Sequence, residues 1–356
     1  MPSRPVPPAS PVLSSAFMTT KRYRWPGMAY SDATGRPGAG VVAGLVLAGA
    51  AVGLPVLVSE VIRRRAEPPQ SPRWGRAHRY SGALGEIVFQ ELGAGAPPLL
   101  LLHSCGPGYD GNQWRAAAEL LAGRHSVYVP DLPGWGRSEA PAGGHVPELY
   151  IRSISGFLDR VVRAPAVIVA AGLSAAYAVR IALDHPERVR GLVLAIPLGL
   201  AADATAFATP GAAFLRQLLQ LPVVRATTLD LLTSRSALEH HLRREVYAAP
   251  ERVDAALLDH HYRASHRPRA RTALSALLRG DLWLEVESAL DDVDVPVLLA
   301  WGRSAKAAPV ESADLWLRRL PDARVEVFQG SADLPHVESA GAFCNAVERF
   351  LSELPA

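Results

Sequence analysis

Hydrophobic and polar positions divide the chain into stretches of different character. Residues 1–37 are rich in Pro, Ser and Gly with little apolar periodicity, the pattern of a disordered tail. Gly38 to Ser59 then runs 22 residues without a charge. That is roughly 33 Å of helix at about 1.5 Å per residue, enough to cross a bilayer. The run ends at Glu60 and the cluster Arg63-Arg64-Arg65, so a transmembrane anchor is expected over 38–62. Residues 63–79, containing Pro and Arg, read as a linker.

From Tyr80 onward the pattern is that of a packed domain. A strand is predicted near Gly85–Leu92, followed by the continuous apolar run Pro98-Leu-Leu-Leu-Leu-His103, which suits a central strand covered on both faces. Helices near Gln113–Ala122 and Pro147–Val162 alternate with strands near Ser126–Val129, Ala166–Ala171 and Gly191–Ile196. The alternation stops at Gly199 and gives way, up to Leu284, to helical patterns such as Leu215–Leu221 and Leu238–Arg244. Strands return at Val295–Ala300 and Arg324–Phe328, and Ala340–Leu354 reads as a closing amphipathic helix. The expected fold is α/β: a doubly wound, mostly parallel sheet with a helical cap and an N-terminal transmembrane helix. The core takes 80–198 and 285–356, and the cap takes 199–284.

Composition narrows the picture. The net charge of +3 is spread along the 356 residues and is not interleaved with aromatics, which argues against nucleic-acid binding. Cys105 and Cys344 are the only cysteines, so there is no disulfide framework. The apolar run lacks a small-x-small cleavage site and follows a long head, which favours an uncleaved, single-pass anchor over a signal peptide. More Arg residues follow the span than precede it, placing the globular part on the cytoplasmic side of the membrane.

The candidate chemistry sits at Ala166-Val-Ile-Val-Ala-Ala-Gly-Leu-Ser-Ala-Ala-Tyr177, an apolar strand running through small residues into a helix that ends near His185-Pro186. Further landmarks are Leu101-Leu-His-Ser104, Asp131-Leu-Pro-Gly-Trp-Gly-Arg-Ser138 and Pro296-Val-Leu-Leu-Ala-Trp-Gly302. Together, in this order, they resemble the α/β-hydrolase superfamily, in particular capped, membrane-anchored bacterial members. The resemblance covers about Tyr80 to Leu354. It implies a nucleophile at a tight corner, an acid and a histidine in that chain order, and no cofactor.

At each of those positions the chain departs from the pattern. Counting back from the His-Pro-Glu-Arg turn puts the nucleophile at Gly172, which has no side chain to attack with. The acid position after Trp301-Gly302 falls on Ala305, with Asp203 and Asp314 as poor substitutes. The histidine position in Gly330-Ser-Ala-Asp-Leu-Pro-His336 falls on Asp333. A second register makes Ser174 the nucleophile, with His336 as an unconventional base. The backbone N–H groups of Leu173 and Cys105 would form the oxyanion hole, although Ser104 replaces the usual glycine beside it. Trp135, like Trp114, reads as a pocket-entrance or core residue. The pairs His240/His241 and His260/His261 face different directions on a helix, which argues against a metal site.

The expectation is therefore a membrane-anchored homologue with a degenerate triad, binding a small apolar or carbonyl-bearing ligand or a protein partner. The alternatives are an ester or acyl hydrolase acting through Ser174, and a cofactor-free lyase or isomerase.

Overall fold

A computed structural model describes residues 74–355, apart from 142, 205–209 and 268. The tail 1–37 and the expected anchor 38–62 therefore lie outside the described residues. Among those described, no helix is long and apolar enough to cross a membrane.

The eight strands are β1 (Arg76–Gly82), β2 (Gly85–Leu92), β3 (Leu99–Leu102), β4 (Val127–Pro130), β5 (Ala166–Ala171), β6 (Val189–Ala195), β7 (Val297–Gly302) and β8 (Ala323–Phe328). They form one sheet in the order β1-β2-β4-β3-β5-β6-β7-β8. β1 and β2 pair antiparallel, as do β2 and β4, and every later pairing is parallel. Leu99 to Leu102 and Ala166 to Ala171 are buried throughout. Their unbroken apolar sequence follows from helices covering both faces of the sheet.

The α-helices are α1 (Arg115–Leu121), α2 (Pro147–Phe157), α3 (Ser174–Asp184), α4 (Pro210–Gln220), α5 (Pro222–Leu232), α6 (Arg235–His241), α7 (Ala255–Ser265), α8 (Ala270–Arg279), α9 (Ala313–Arg319), α10 (Pro335–Glu338) and α11 (Ala340–Glu353). Residues of α1 and α11, including Trp114 beside α1, pack on one face of the sheet with Phe343 and Val347. Those of α2, α3 and α9 pack on the other, with Ile154, Tyr177 and Trp316. The cap, α4 to α8, adds Leu219, Leu229, Ala273 and Leu274 to that second cluster.

One boundary is corrected. The linker expected over 63–79 gives way to β1 at Arg76, seven residues that pair with β2 from Arg76↔Glu91 to Gly82↔Gly85. β1 is an edge strand carrying Arg76, His78 and Arg79, and only one side of it is even half-buried. A charged edge of that kind protects against strand addition and hides the apolar alternation that marks a strand.

The chain runs from β3 outward to β4 on one side, then back past β3 to β5 on the other. The loops after β3 and β5 therefore diverge from neighbouring strands at their carboxyl ends, the crevice where doubly wound sheets place ligands.

Candidate functional site

β5 runs directly into the corner. Gly172 turns the chain at φ +56°, and Leu173 leads into α3 at Ser174. Left-handed backbone of this kind costs an L side chain about 1–2 kcal/mol, and glycine adopts it freely. The Gly172 N–H donates to the Ala195 carbonyl at 3.0 Å, and its own carbonyl accepts from Leu198 N–H at 3.2 Å. The corner is thus tied to the end of β6 and the segment beyond it. A Cβ built on Gly172 would lie 2.2 Å from Ser104 Oγ. The Ser104 hydroxyl fills the space where a side chain at 172 would begin.

Ser174 is fully buried in the first turn of α3. Its hydroxyl donates to the His103 carbonyl at 2.6 Å and meets the Cys105 thiol, which burial pushes up to about 12. The Ser174 alcohol thus ties α3 to the loop after β3. His103 fixes that loop from its other side: Nδ1–H donates to the Ser104 carbonyl at 2.7 Å, and Nε2 accepts from Leu132 N–H at 2.9 Å. Both ring nitrogens are used and burial lowers its pKa, so His103 is neutral.

The loops after β7 and β8 lie side by side. A Cβ on Gly302 would fall 1.9 Å from the Ala332 carbonyl oxygen, and Ser304 N–H donates to the Ser331 carbonyl at 3.1 Å. Ala305 is half-buried there. Asp333 Oδ1 accepts the Lys306 and Ala307 N–H groups at 2.7 and 3.0 Å. Burial outweighs those hydrogen bonds and lifts Asp333 to about 6. The Ala305 loop and Asp333 are therefore brought together, as a carboxylate capping backbone amides. Glu338 pins the same region: Oε2 accepts Ala332 N–H at 2.7 Å, and Oε1 accepts Ala248 and Ala249 N–H at 2.8 and 3.3 Å.

His336 is fully buried. It stacks on Trp114 with ring centroids 4.0 Å apart and meets Phe343 at 6.0 Å. Neither ring nitrogen has a partner among the described residues, and burial depresses its pKa to about 3. A proton acceptor so weak is a poor general base near neutral pH. Trp135 is also a core residue, only 2 % exposed; its Nε1–H donates to the Tyr150 hydroxyl at 3.1 Å, and that hydroxyl donates to the Pro133 carbonyl at 2.8 Å. The pocket-entrance reading of Trp135 is replaced by core packing, because its indole donor finds its partner inside the protein.

The model of the alpha/beta hydrolase fold matches residues 97–340. The chain belongs to this family. It is 27% identical over 302 residues to the 2-hydroxymuconate semialdehyde hydrolase of Pseudomonas putida, covering 81% of this chain and 98% of that protein. It is 26% identical over 276 residues to a 2-hydroxy-6-oxononadienedioate/2-hydroxy-6-oxononatrienedioate hydrolase of Dechloromonas aromatica, covering 75% and 91%. Among solved structures, a bacterial membrane phospholipase A superposes with a TM-score of 0.63 at 22% identity, over 88% of this chain and 94% of that one. At that identity the likeness is one of fold.

Within the α/β-hydrolase frame, Asp131 and its glycines form a structural turn. Its carboxylate accepts Gly111 N–H at 2.9 Å and Arg137 N–H at 2.8 Å, with Arg137 Nε–H at 3.1 Å. The loop after β3 carries a pairing that sequence reasoning missed. Asp110 Oδ1 and His260 Nε2 lie 3.1 Å apart across 150 residues of sequence. They border a cavity of about 350 Å³ with Gln113, Tyr247, Leu257 and Leu334. The Asp110 charge raises the His260 pKa against the effect of burial. Burial alone would raise Asp110, yet the His260 charge and hydrogen bond and the Asn112 N–H hold its carboxyl below the usual range. His261 turns the other way, to the Pro107 carbonyl at 2.9 Å, and burial takes it down to about 4. Among the described residues, no group of three or more His, Cys, Asp or Glu is placed to hold a metal ion.

Proposed function

We propose that this α/β-hydrolase-fold protein has left serine-ester hydrolysis and holds a small apolar or carbonyl-bearing ligand, or a protein partner, at the crevice beneath its cap. In this reading residues 38–62 anchor it to a membrane, with the globular part on the cytoplasmic side. The observation that carries the reading is the exchange at the corner. Glycine stands at 172 with left-handed φ, and the Ser104 hydroxyl lies 2.2 Å from where a Cβ would start.

The partner positions support the same reading. A base at 333 would need a free imidazole, and the residue there is a carboxylate already bonded to Lys306 and Ala307 N–H groups. Losing one triad member costs several orders of magnitude in rate, and losses within a triad act as a unit. Leu173 and Cys105 keep backbone N–H groups beside the corner, where a ligand oxygen can be held without covalent chemistry.

A second reading is favoured by the hydrolases among the relatives, at 27% identity over 81% of the chain. It is hydrolysis through a serine other than one at 172, with Ser174 as the candidate. Labelling the full chain with a serine-reactive fluorophosphonate separates the two. The proposed reading expects no adduct. An adduct that disappears in Ser174→Ala, or in Ser104→Ala, would restore hydrolysis.

A further inference from the structure

We propose that the cap docks on an anionic phospholipid surface through α4 and α5, with lipid phosphates taken up between Arg225 and Arg279. Four of the eight exposed large apolar side chains among the described residues, including the two most exposed, lie on this stretch. Phe214 is 62% exposed, Leu221 55%, Leu231 67% and Leu232 40%. In a monomeric soluble protein, concentrated apolar exposure of this kind marks an interaction surface.

The charge pattern identifies what covers it. From Ala204 to Leu229 the sequence has no acid, and its charges are Arg216 and Arg225. Two adjoining cavities open in this part of the cap. One, about 390 Å³, is lined by Arg225, Arg271, Arg279, Thr272 and Ser275. The other, about 540 Å³, is lined by Arg216, Arg225, Arg279, Gln217 and Gln220. Asp281, which lines the second cavity, pairs with Arg279, and the buried Asp230 nearby pairs with Arg271, so four arginines stand against two acids and the recess keeps a net positive charge. His145, which also lines the first cavity, is lowered to about 4 by burial and by the Arg279 charge. It is uncharged near neutral pH, leaving the arginines to set the sign.

Helix geometry joins the two features. Gln217 lines the arginine cavity, Phe214 lies three residues before it on the same side of α4, and Leu221 stands in the extended link between α4 and α5. Exposed apolar side chains on the elements that line a guanidinium-rich recess match the boundary between acyl chains and phosphate headgroups. This docking does not depend on whether the site hydrolyses esters, and it uses residues far in sequence from the expected anchor.

The test is amide hydrogen exchange on the full chain with vesicles of phosphatidylcholine alone or doped with phosphatidylglycerol. Residues 210–232 are expected to slow several-fold on the doped vesicles only. Arg225→Glu is expected to weaken that protection about tenfold, and Arg225→Lys to retain most of it. Leu231→Ser, at a site outside the core, is expected to weaken it with the thermal transition unchanged. Vesicle-bound chain with unaltered exchange at 210–232 overturns the proposal. So does equal slowing on pure phosphatidylcholine, or the same slowing with inorganic phosphate and no vesicles.

Discussion

A serine at position 172 has to share space with the Ser104 hydroxyl and accept left-handed backbone. Gly172→Ser is expected to cost about 1–2 kcal/mol. The double change with Ser104→Gly is expected to recover part of that, read as denaturation midpoints of the three proteins. Neither variant should gain esterase activity, because Ala305 and Asp333 stay unchanged. Asp333 gives a second residue-level expectation. Burial lifts it from 3.8 to about 6, so the folded state resists its ionisation. The penalty begins above the unfolded value and is complete above the folded one; at about 1.4 kcal/mol per unit it reaches roughly 3 kcal/mol. Asp333→Asn, whose Oδ1 can still accept both amides, should therefore stabilise the protein by about 1–3 kcal/mol near pH 8. The gain should vanish below about pH 4, as followed by chemical denaturation. The residues Gly172, Ala305 and Asp333, on which the proposed loss of hydrolysis rests, were legible from residue identity alone. That the Ser104 hydroxyl sits where a side chain at 172 would begin was not, because the two residues are 68 apart and only the fold brings them together.

Between elements, Asp110 and His260 staple the loop after β3 to α7. His260 is raised above its ordinary 6.5, so its share of stability is full below that value and is lost as pH rises through the folded pKa. Asp110 is held below its ordinary 3.8, so its share is present above that value and is lost as pH falls through the folded pKa. The pair therefore contributes most between pH 3.8 and 6.5. Asp110→Asn is expected to cost about 1–3 kcal/mol in that window, with a smaller difference in melting temperature above it. Parallel strands such as β3 and β5 were legible because burial on both faces demands continuous apolar sequence. β1 was not, because its charged edge carries no such demand. The predicted helix at 113–122 divides into a 3-10 turn, Gly111–Trp114, and α1. The Asp110 carboxylate, which accepts Asn112 N–H at 2.9 Å, starts that turn. The staple itself is hidden in the sequence because helix periodicity relates His260 only to its own helix, and its partner Asp110 lies 150 residues away.

For the whole molecule, the proposed anchor and the proposed cap contact are separable by experiment. An anchor over 38–62 should keep the full chain in the membrane fraction through an alkaline carbonate wash, and deleting residues 1–62 should release it. The cap contact, built from charge and shallow apolar burial, should be removed by that wash. A chain that leaves the membrane under carbonate with residues 1–62 intact would show that they do not span. The α/β core was legible as a whole, since several landmarks fall in family order. The apolar face of the cap was not, because the pattern that makes an amphipathic helix is the same whether its apolar side meets protein or lipid.

The trade between positions 104 and 172 also bears on descent. Under the proposed reading, a lineage that first places serine at 172 meets the Ser104 hydroxyl and receives no reaction in return. One that first loses the Ser104 hydroxyl gives up a packing contact with nothing yet to replace it. Neither opening move is rewarded. On that reading two small residues, neither of them an acid or a base, make a route to serine hydrolysis longer than the count of three side chains suggests.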